Sequence, residues 1–200
     1  MSLNKDMAEF FDGLAAKWNN NPSEYGTREK LTSMMNLSPN SIIADIGCGK
    51  GVMFEHLLKT NPSKIIGVDI SGEMLRSAMT LYYDDRIEYV NDDFITAQLP
   101  MVDAAVIFNA YPHFLDKGAL VEKLARTIKR NGMIFIAHSR GKSKINGVHK
   151  GVGASALSIP LKNAEAEARR FQQYFTPDVI IDNEDLYLIK MTRNREPFFH

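Results

Sequence analysis

Short apolar runs recur between residues 41 and 137, and most of them are followed by a segment with helical periodicity. Continuous apolar runs of strand length are typical of strands that are buried on both faces. Their alternation with helices indicates βαβ units, in which the strands lie parallel and helices cover both faces of the sheet. The five strands predicted in this way are SIIADIG (41–47), KIIGVD (64–69), RIEYV (86–90), VDAAVIF (102–108) and MIFIA (133–137).

Helices are predicted between these strands and before the first of them. Ser71 is a candidate N-cap for the helix after the second strand. A further helix is predicted over residues 117–130, and the pair Asn131-Gly132 should end it. Two helical patterns lie within residues 1–37, separated by the loop-forming sequence NNNPSEYG.

The last forty residues follow a different pattern. A helix over 164–175 is followed by two strands, 178–183 and 184–193, with only a short polar turn between them. Strands this close in sequence should pair antiparallel, because a parallel partner needs a long crossover. The sequence therefore predicts an α/β fold: a doubly wound, seven-stranded, mostly parallel sheet that ends in a C-terminal antiparallel hairpin.

Composition narrows the class of protein. The chain has 200 residues, enough for one domain with a substantial core, and its 24 basic and 24 acidic residues cancel. This balance argues against a nucleic-acid or membrane partner. The single cysteine cannot form an internal disulfide, and no run of apolar residues resembles a signal peptide or a membrane span. We expect a single-domain cytoplasmic protein, and the sequence does not indicate its oligomeric state.

Polar residues follow each of the five predicted parallel strands. In open α/β sheets ligands bind outside the carboxyl ends of the strands. The candidate functional residues are therefore those just after the strands: 47–51, Asp69, Asp92 and Asp93, 109–113 and 138–140.

The sequence ADIGCGKG is the most specific motif. It places Asp45, Gly47, Gly49 and Gly51 in a D-x-G-x-G-x-G spacing at a strand-to-helix turn. Glycines there allow positive φ and a close approach of the backbone to a ligand. The spacing differs from the G-x-G-x-x-G of dinucleotide-binding folds. Asp69, at the end of the second strand, is placed to accept hydrogen bonds from a ribose diol.

From about residue 8 to residue 193 the chain resembles the class I S-adenosylmethionine-dependent methyltransferases, and among them the type 11-like small-molecule enzymes. HSRGKSKINGVH resembles the fifth-strand end of a functionally unassigned bacterial subgroup. The segments that carry the family resemblance are FFDGLAAKWN (lid helix), IIADIGCGKG (glycine motif), IIGVDIS (ribose strand), YVNDDF (adenine segment), VDAAVIFNAYPHF (fourth strand) and LARTIKRNGMIFIAHS (fifth strand).

The resemblance implies a division of the chain and a cofactor. Residues 1–37 would form lid helices, 38–137 the cofactor-binding core, 138–160 an acceptor loop and 161–193 the last helix and hairpin. The cofactor would be S-adenosylmethionine, with S-adenosylhomocysteine as product. The implied cofactor-binding residues are Asp45, Gly47, Gly49, Gly51, Asp69, Ile70, Asp92 or Asp93, Phe94 and Asn109. Trp18, in the lid segment, is either a cofactor cover or a core residue.

His113 and His138 are the candidate catalytic residues. Both follow predicted strands, and histidine titrates close to neutral pH, as a base that deprotonates a methyl acceptor must. Either could instead hold a loop, and a metal site of His113, His138, His149 and Asn146 is a further alternative, although no metal is expected. The residues predicted to bind a small-molecule acceptor are Tyr111, Arg140, Asn146 and His149.

Two other functions remain open at this stage. The chain could bind S-adenosylmethionine or S-adenosylhomocysteine without catalysis. It could also be a nicotinamide-dependent oxidoreductase, although the glycine spacing disfavours this class.

Overall fold

Three parallel strands with helices before and between them make up the first part of the chain. A computed structural model describes residues 3–18, 22–151 and 154–195, and the chain divides into two units, residues 1–98 and 99–200. The first unit contains α1 (Leu3–Ala15), a 3-10 helix (Pro22–Glu24), α2 (Tyr25–Met35), β1 (Ile42–Ile46), α3 (Phe54–Leu58), β2 (Lys64–Asp69), α4 (Gly72–Leu81) and β3 (Ile87–Asn91).

The second unit combines a parallel strand pair with an antiparallel hairpin. Its elements are β4 (Val102–Phe108), a 3-10 helix (Tyr111–His113), α5 (Lys117–Thr127), β5 (Ile128–His138), α6 (Lys142–Gly151), a 3-10 helix (Ala154–Leu157), α7 (Ala164–Ala168), a 3-10 helix (Arg169–Phe171), β6 (Phe175–Asp182) and β7 (Tyr187–Arg193). β4 pairs parallel with β5, while β7 pairs antiparallel with both β5 and β6.

The described strands form one mixed sheet with the order β3-β2-β1-β4-β5-β7-β6. This order confirms the predicted α/β class, the seven-stranded and mostly parallel sheet, and the C-terminal antiparallel hairpin. β1 and β4 are almost entirely buried, as are residues 65–68 of β2 and 134–138 of β5, in agreement with their continuous apolar sequences. The single-domain organisation of residues 1–200 and its four functional parts stay predictions.

The helix after β2, α4, begins where the sequence predicts, but α5, the helix before β5, ends earlier than predicted. Ser71 is the N-cap of α4 and accepts a hydrogen bond from the Met74 amide at 3.1 Å. α5 ends at Thr127 rather than at residue 130, because Ile128 already has extended backbone angles and pairs with Val102 of β4. The turn residue Asn131, with φ of 59°, therefore lies in an irregularity inside β5.

The segment after β5, predicted as a loop, is largely helical. α6 occupies residues 142–151, and the 3-10 helix Ala154–Leu157 follows. The side-chain amide of Asn146 accepts from the Leu161 amide at 2.8 Å and donates to the Leu161 carbonyl at 3.0 Å. These two bonds attach the backbone of Leu161 to α6. α7 is also shorter than the predicted helix 164–175, since it ends at Ala168, a 3-10 helix follows over Arg169–Phe171, and β6 starts at Phe175.

No helix among the described residues is long and apolar enough to cross a membrane.

Gly141, between β5 and α6, lies against the turn that joins β6 and β7. A Cβ atom at Gly141 would approach the Asn183 carbonyl oxygen and would lie 2.6 Å from the Glu184 carbonyl oxygen. We expect Gly141→Ala to lower the free energy of unfolding by about 1–3 kcal/mol, because the backbone of the turn must move. Chemical denaturation measures this change.

Gly147 offers a matched control within the same segment. It lies in α6, and a Cβ atom added there would meet no atom of the described residues within 4 Å beyond its chain neighbours and the helix backbone. Gly147→Ala should leave stability unchanged or raise it by up to about 1 kcal/mol, because alanine favours the helix. Equal effects of the two substitutions would contradict the packing argument.

Candidate functional site

The glycine loop after β1 adopts a conformation that needs glycine. Gly49 and Gly51 have φ of 54° and 75°, in the left-handed region where other residues are strained. A Cβ atom at Gly49 would meet no described residue within 4 Å other than its chain neighbours, so the described part of the protein leaves space on this side of the loop. At Gly51 a Cβ atom would run into the ring of Phe54, and the loop is therefore packed closely against α3 on that side.

Asp69, at the end of β2, holds this loop to the start of α4. One carboxylate oxygen accepts a hydrogen bond from the Gly49 amide at 2.7 Å, and the other accepts from the Ser71 amide at 2.9 Å. Burial raises the pKa of Asp69, and the two amide donors act in the opposite direction. A carboxylate can accept about four hydrogen bonds, so Asp69 keeps capacity for a hydroxyl of a ligand.

Asp45 is a buried carboxyl group on β1, only 1% exposed. Its Oδ2 atom has no hydrogen-bond partner among the described residues. Burial, and then the charge of Asp69, raise the pKa of Asp45 from 3.8 to about 8. The group is therefore neutral at pH 7 unless a cation approaches it.

The N-terminal helix α1 supplies contacts that the sequence analysis missed. The carboxylate of Asp12 accepts from the Ser71 hydroxyl at 2.6 Å and from the Glu73 amide at 3.1 Å, and so binds the first turn of α4. Asn4 donates to Asp93 at 2.8 Å. Trp18, which was either cover or core, is 44% exposed, and its carbonyl accepts from Lys50 at 2.8 Å. The partners of Asp12 and Asn4 are too far away in sequence for a local signal.

Asp92 and Asp93 build the turn after β3. Asp92 accepts from the amide of Asp93 at 2.8 Å, and Asp93 accepts from the amide of Ile95 at 3.0 Å. Asp92 is exposed and Asp93 is partly buried, while Phe94 is buried. Ile70 is partly buried after β2. The predicted cofactor residues of the first unit thus lie at the carboxyl ends of β1, β2 and β3.

In the second unit, Asn109 joins the ends of β4 and β5. Its backbone has φ of 55°, and its side-chain oxygen accepts from the Ser139 amide at 3.0 Å. Its side-chain nitrogen donates to the Ser139 hydroxyl at 3.2 Å. The side chain of Asn109 is therefore used to hold two strand ends together.

Tyr111 is fully buried and belongs to a charged cluster. Its hydroxyl donates to Glu167 at 2.8 Å, and Arg170 also contacts that carboxylate at 2.8 Å. Lys117 donates to the Tyr111 carbonyl and places its ammonium 3.8 Å from the ring centre. Burial lowers the pKa of Lys117 to about 7, and burial followed by the nearby Glu167 charge raises the pKa of Tyr111. Sequence reasoning found neither Lys117 nor Glu167.

The two candidate catalytic histidines have different surroundings. His138, at the end of β5, is 1% exposed, and its ring lies edge-on to Tyr187 with ring centres 5.8 Å apart. His113 is partly buried, and its Nδ1 atom lies 2.9 Å from the Leu157 carbonyl oxygen. Because a carbonyl only accepts, Nδ1 carries the proton, and neutral His113 keeps its lone pair on Nε2.

The remaining predicted acceptor residues are distributed over the segment after β5. The amide of Asn146 is taken up by the Leu161 backbone, and Arg140 is exposed. His149 lies in α6, but its side chain is outside the described part of the chain. Among the described side chains no three His, Cys, Asp or Glu residues are grouped to hold a metal ion.

Comparisons with known proteins show similarity to methyltransferases. Residues 43–132 match the family model of the methyltransferase domain. An uncharacterized methyltransferase of Mycobacterium tuberculosis is 28% identical over 120 residues, which are 59% of this chain and 60% of that protein. The chain thus spans about 60% of the length of this relative.

Two solved structures share the fold over nearly the whole chain. A putative methyltransferase in complex with the Trm112 methyltransferase activator of Haloferax volcanii has a TM-score of 0.75 and 17% identity, and the match covers 92% of this chain and 98% of that one. The magnesium protoporphyrin IX methyltransferase of Synechocystis, solved with bound S-adenosylmethionine, has a TM-score of 0.70 and 14% identity, over 97% and 98% of the chains. The chain therefore shares the fold of these methyltransferases and contains a region similar to the methyltransferase domain, as the resemblance to class I predicts.

The buried Asp45 carboxyl should make stability depend on pH. Its pKa of about 8 in the folded protein exceeds the value of 3.8 when unfolded, so the folded state binds one more proton between these values. The free energy of unfolding should fall as the pH rises from 4 to 8, by up to roughly 5 kcal/mol from this group. Denaturation of the protein and of Asp45→Asn across this range measures the difference. Parallel pH profiles of the two proteins would contradict the assignment.

Two buried tyrosines of the second unit permit a matched comparison. The hydroxyl of Tyr111 is bonded to Glu167, whereas the buried hydroxyl of Tyr187 has no hydrogen-bond partner among the described residues. We expect Tyr111→Phe to lower the free energy of unfolding by about 1–3 kcal/mol, and Tyr187→Phe to change it by less than about 0.5 kcal/mol. Urea denaturation distinguishes the two, and a larger loss for Tyr187→Phe would refute this reading of the cluster.

Proposed function

We propose that the protein is an S-adenosylmethionine-dependent methyltransferase that methylates a small molecule and releases S-adenosylhomocysteine. The observation that carries the proposal is the buried Asp45 carboxyl, whose Oδ2 has no partner among the described residues, next to the glycine loop that Asp69 holds. A buried carboxyl without a partner is unfavourable, and a ligand with an ammonium group would compensate it. The methionine part of S-adenosylmethionine carries such a group.

The residues of the first unit fit the other parts of this cofactor. Asp69 has unused acceptor capacity for a ribose diol, and the open space at Gly49 lets a ligand approach the backbone. Asp93 would accept from the adenine amino group, in exchange for its bond to Asn4. Ile70 and Phe94 would pack against the adenine, and Asp92 would shape the turn. Asn109 would offer its carbonyl to the methionine ammonium, as the family resemblance implies.

When bound, the cofactor supplies an activated methyl group on a positively charged sulfur. The task left to this chain is to orient the acceptor, exclude water and accept a proton. His113 is suited to the last role, because its bond to the Leu157 carbonyl leaves Nε2 as the basic atom. His138 is the second candidate and is more deeply buried. Tyr111, Arg140, Asn146 and His149 remain the proposed acceptor residues, although Tyr111 and Asn146 already hold structural bonds.

Charge and composition support a small-molecule acceptor in a cytoplasmic protein. Acidic and basic residues balance, which gives no general attraction for nucleic acid or anionic membranes. The single cysteine suits a reducing compartment. No metal ion is part of the proposal.

The decisive experiment combines binding with transfer. Calorimetry should show that the protein binds S-adenosylhomocysteine and ignores NAD. Incubation with methyl-labelled S-adenosylmethionine and a fractionated metabolite extract should then label a small molecule. Binding of the cofactor without transfer to any fraction would favour a binding protein without catalysis, and binding of NAD alone would favour an oxidoreductase.

Asp69→Asn should weaken the binding of S-adenosylhomocysteine by about 10-fold or more, because the charge that strengthens the hydrogen bonds to the ribose and to the Gly49 amide is lost. Calorimetry on the folded variant measures the dissociation constant. Asp185→Asn is the matched control, since that side chain is 94% exposed in the second unit. Unchanged affinity of Asp69→Asn would contradict the proposed cofactor site.

A further inference from the structure

A cavity lies at the amino end of β3, among residues to which the proposed function assigns no role. Its volume is about 420 Å³, within the range of small-molecule sites. The proposed adenine residues follow the other end of β3, about 13 Å away along the strand. The lining residues are Met79, Tyr82, Tyr83, Asp84, Asp85, Ile87 and Tyr89.

Two tyrosines form a fixed wall of this cavity. The rings of Tyr82 and Tyr89 pack edge-on against Phe54, with ring centres 5.5 and 5.8 Å away. The hydroxyl of Tyr89 donates to the Tyr82 carbonyl at 3.0 Å. Because these contacts fix both rings before any ligand arrives, little order has to be gained on binding.

Tyr83 gives the cavity a third aromatic ring that has no contact of its own. Its side chain is 98% exposed, and neither a hydrogen bond nor a ring contact holds it within the described chain. Full exposure of a tyrosine ring beside a cavity leaves its π face available to a ligand.

The charge of the cavity is negative. Asp84 is neutralised, since Arg86 donates to its two oxygens at 2.9 and 2.7 Å and these bonds lower the pKa of Asp84 to about 2. Asp85 has no ion pair or hydrogen bond with any described residue. None of the described residues that line the cavity is basic, so none of them compensates the charge of Asp85.

We propose that this cavity binds a small organic cation of the alkylammonium class, with the ammonium group against the tyrosine rings and opposite Asp85. Aromatic faces attract alkylated ammonium ions, which also lack the strong hydration that competes with such contacts. A neutral aromatic ligand would leave the Asp85 carboxylate without a counter-charge. The proposal does not depend on the methyltransferase function, because it concerns other residues.

Choline is a suitable probe, and 3,3-dimethylbutan-1-ol is its neutral analogue of the same shape. In an NMR titration at low ionic strength, choline should shift the resonances of residues 79–89 with saturation in the millimolar range. The neutral analogue should bind at least about 5-fold more weakly, because it lacks the cation–π and ionic attraction. Titrations are run with and without S-adenosylhomocysteine, which should leave the choline affinity within about 3-fold.

Two exposed substitutions test the assignment with little risk to folding. Asp85→Asn and Tyr83→Ala should each lower the affinity for choline by about 5-fold or more. Leu81→Ala, at an exposed position of α4 outside the cavity, and Asp185→Asn should not change it. Thermal melting confirms that all four variants fold.

Several results would overturn the proposal. These are no saturation by choline, equal binding of the neutral analogue, or an affinity that Asp85→Asn and Tyr83→Ala leave unchanged. Displacement of choline by S-adenosylhomocysteine would assign the cavity to the cofactor site. Tighter binding of a trilysine peptide than of choline would assign it to a basic polypeptide. A failed test of methyl transfer would leave the choline result unaffected.

Discussion

The carboxylate of Asp69 determines the geometry of the first unit around the glycine loop. It joins the loop after β1, through the Gly49 amide, to the N-terminus of α4, through the Ser71 amide. Asp12 of α1 holds the Ser71 hydroxyl at 2.6 Å, so a third element is attached to the same point. These bonds are charge-assisted and partly buried, which makes each stronger than an ordinary surface hydrogen bond. The proposed ligand group and the structural anchor are thus one side chain.

A different carboxylate has the corresponding role in the second unit. Glu167, on the five-residue helix α7, is 2% exposed and accepts from Tyr111 and Arg170. Lys117 of α5 donates a hydrogen bond to the carbonyl of Tyr111, in the 3-10 turn Tyr111–His113. Burying charged and polar groups costs free energy unless each of them has a partner. A fully paired cluster favours one conformation of these side chains more than it adds to net stability. The turn that carries His113 is fixed in this way.

The sequence was sufficient for features that depend on neighbouring residues. The five parallel strands, the Ser71 cap and the glycine loop follow from apolar runs and local turn chemistry, and all were predicted. The bonds from Asn4 to Asp93, from Ser71 to Asp12 and from Tyr111 to Glu167 were not predicted, because they join residues 56 to 89 positions apart and leave no local pattern.

Errors of the sequence analysis have the same physical origin. Asn131 and Gly132 form a turn signal, but this signal acts inside β5, where pairing with β4 overrides it. Residues 142–151 contain two glycines and many polar residues, yet they are helical, and Asn146 attaches this helix to Leu161. In both places tertiary pairing outweighs a weak local preference.

Asp45 and Asp69 lie on adjacent parallel strands, and burial raises the pKa of both, but only Asp69 receives hydrogen bonds that oppose this effect. Asp69 receives hydrogen bonds from two backbone amides, which favour its ionised form. Asp45 has one oxygen without a partner among the described residues, and the charge of Asp69 raises the pKa of Asp45 further. Removing Asp45 would therefore stabilise the empty protein at neutral pH. With a cation bound between the loop and β1, removing Asp45 would instead destabilise the protein. The cation would form an ion pair with the Asp45 carboxylate, which loses its proton on binding. The unfavourable burial of Asp45 in the free protein is therefore the feature of the first unit that the proposed cofactor would compensate.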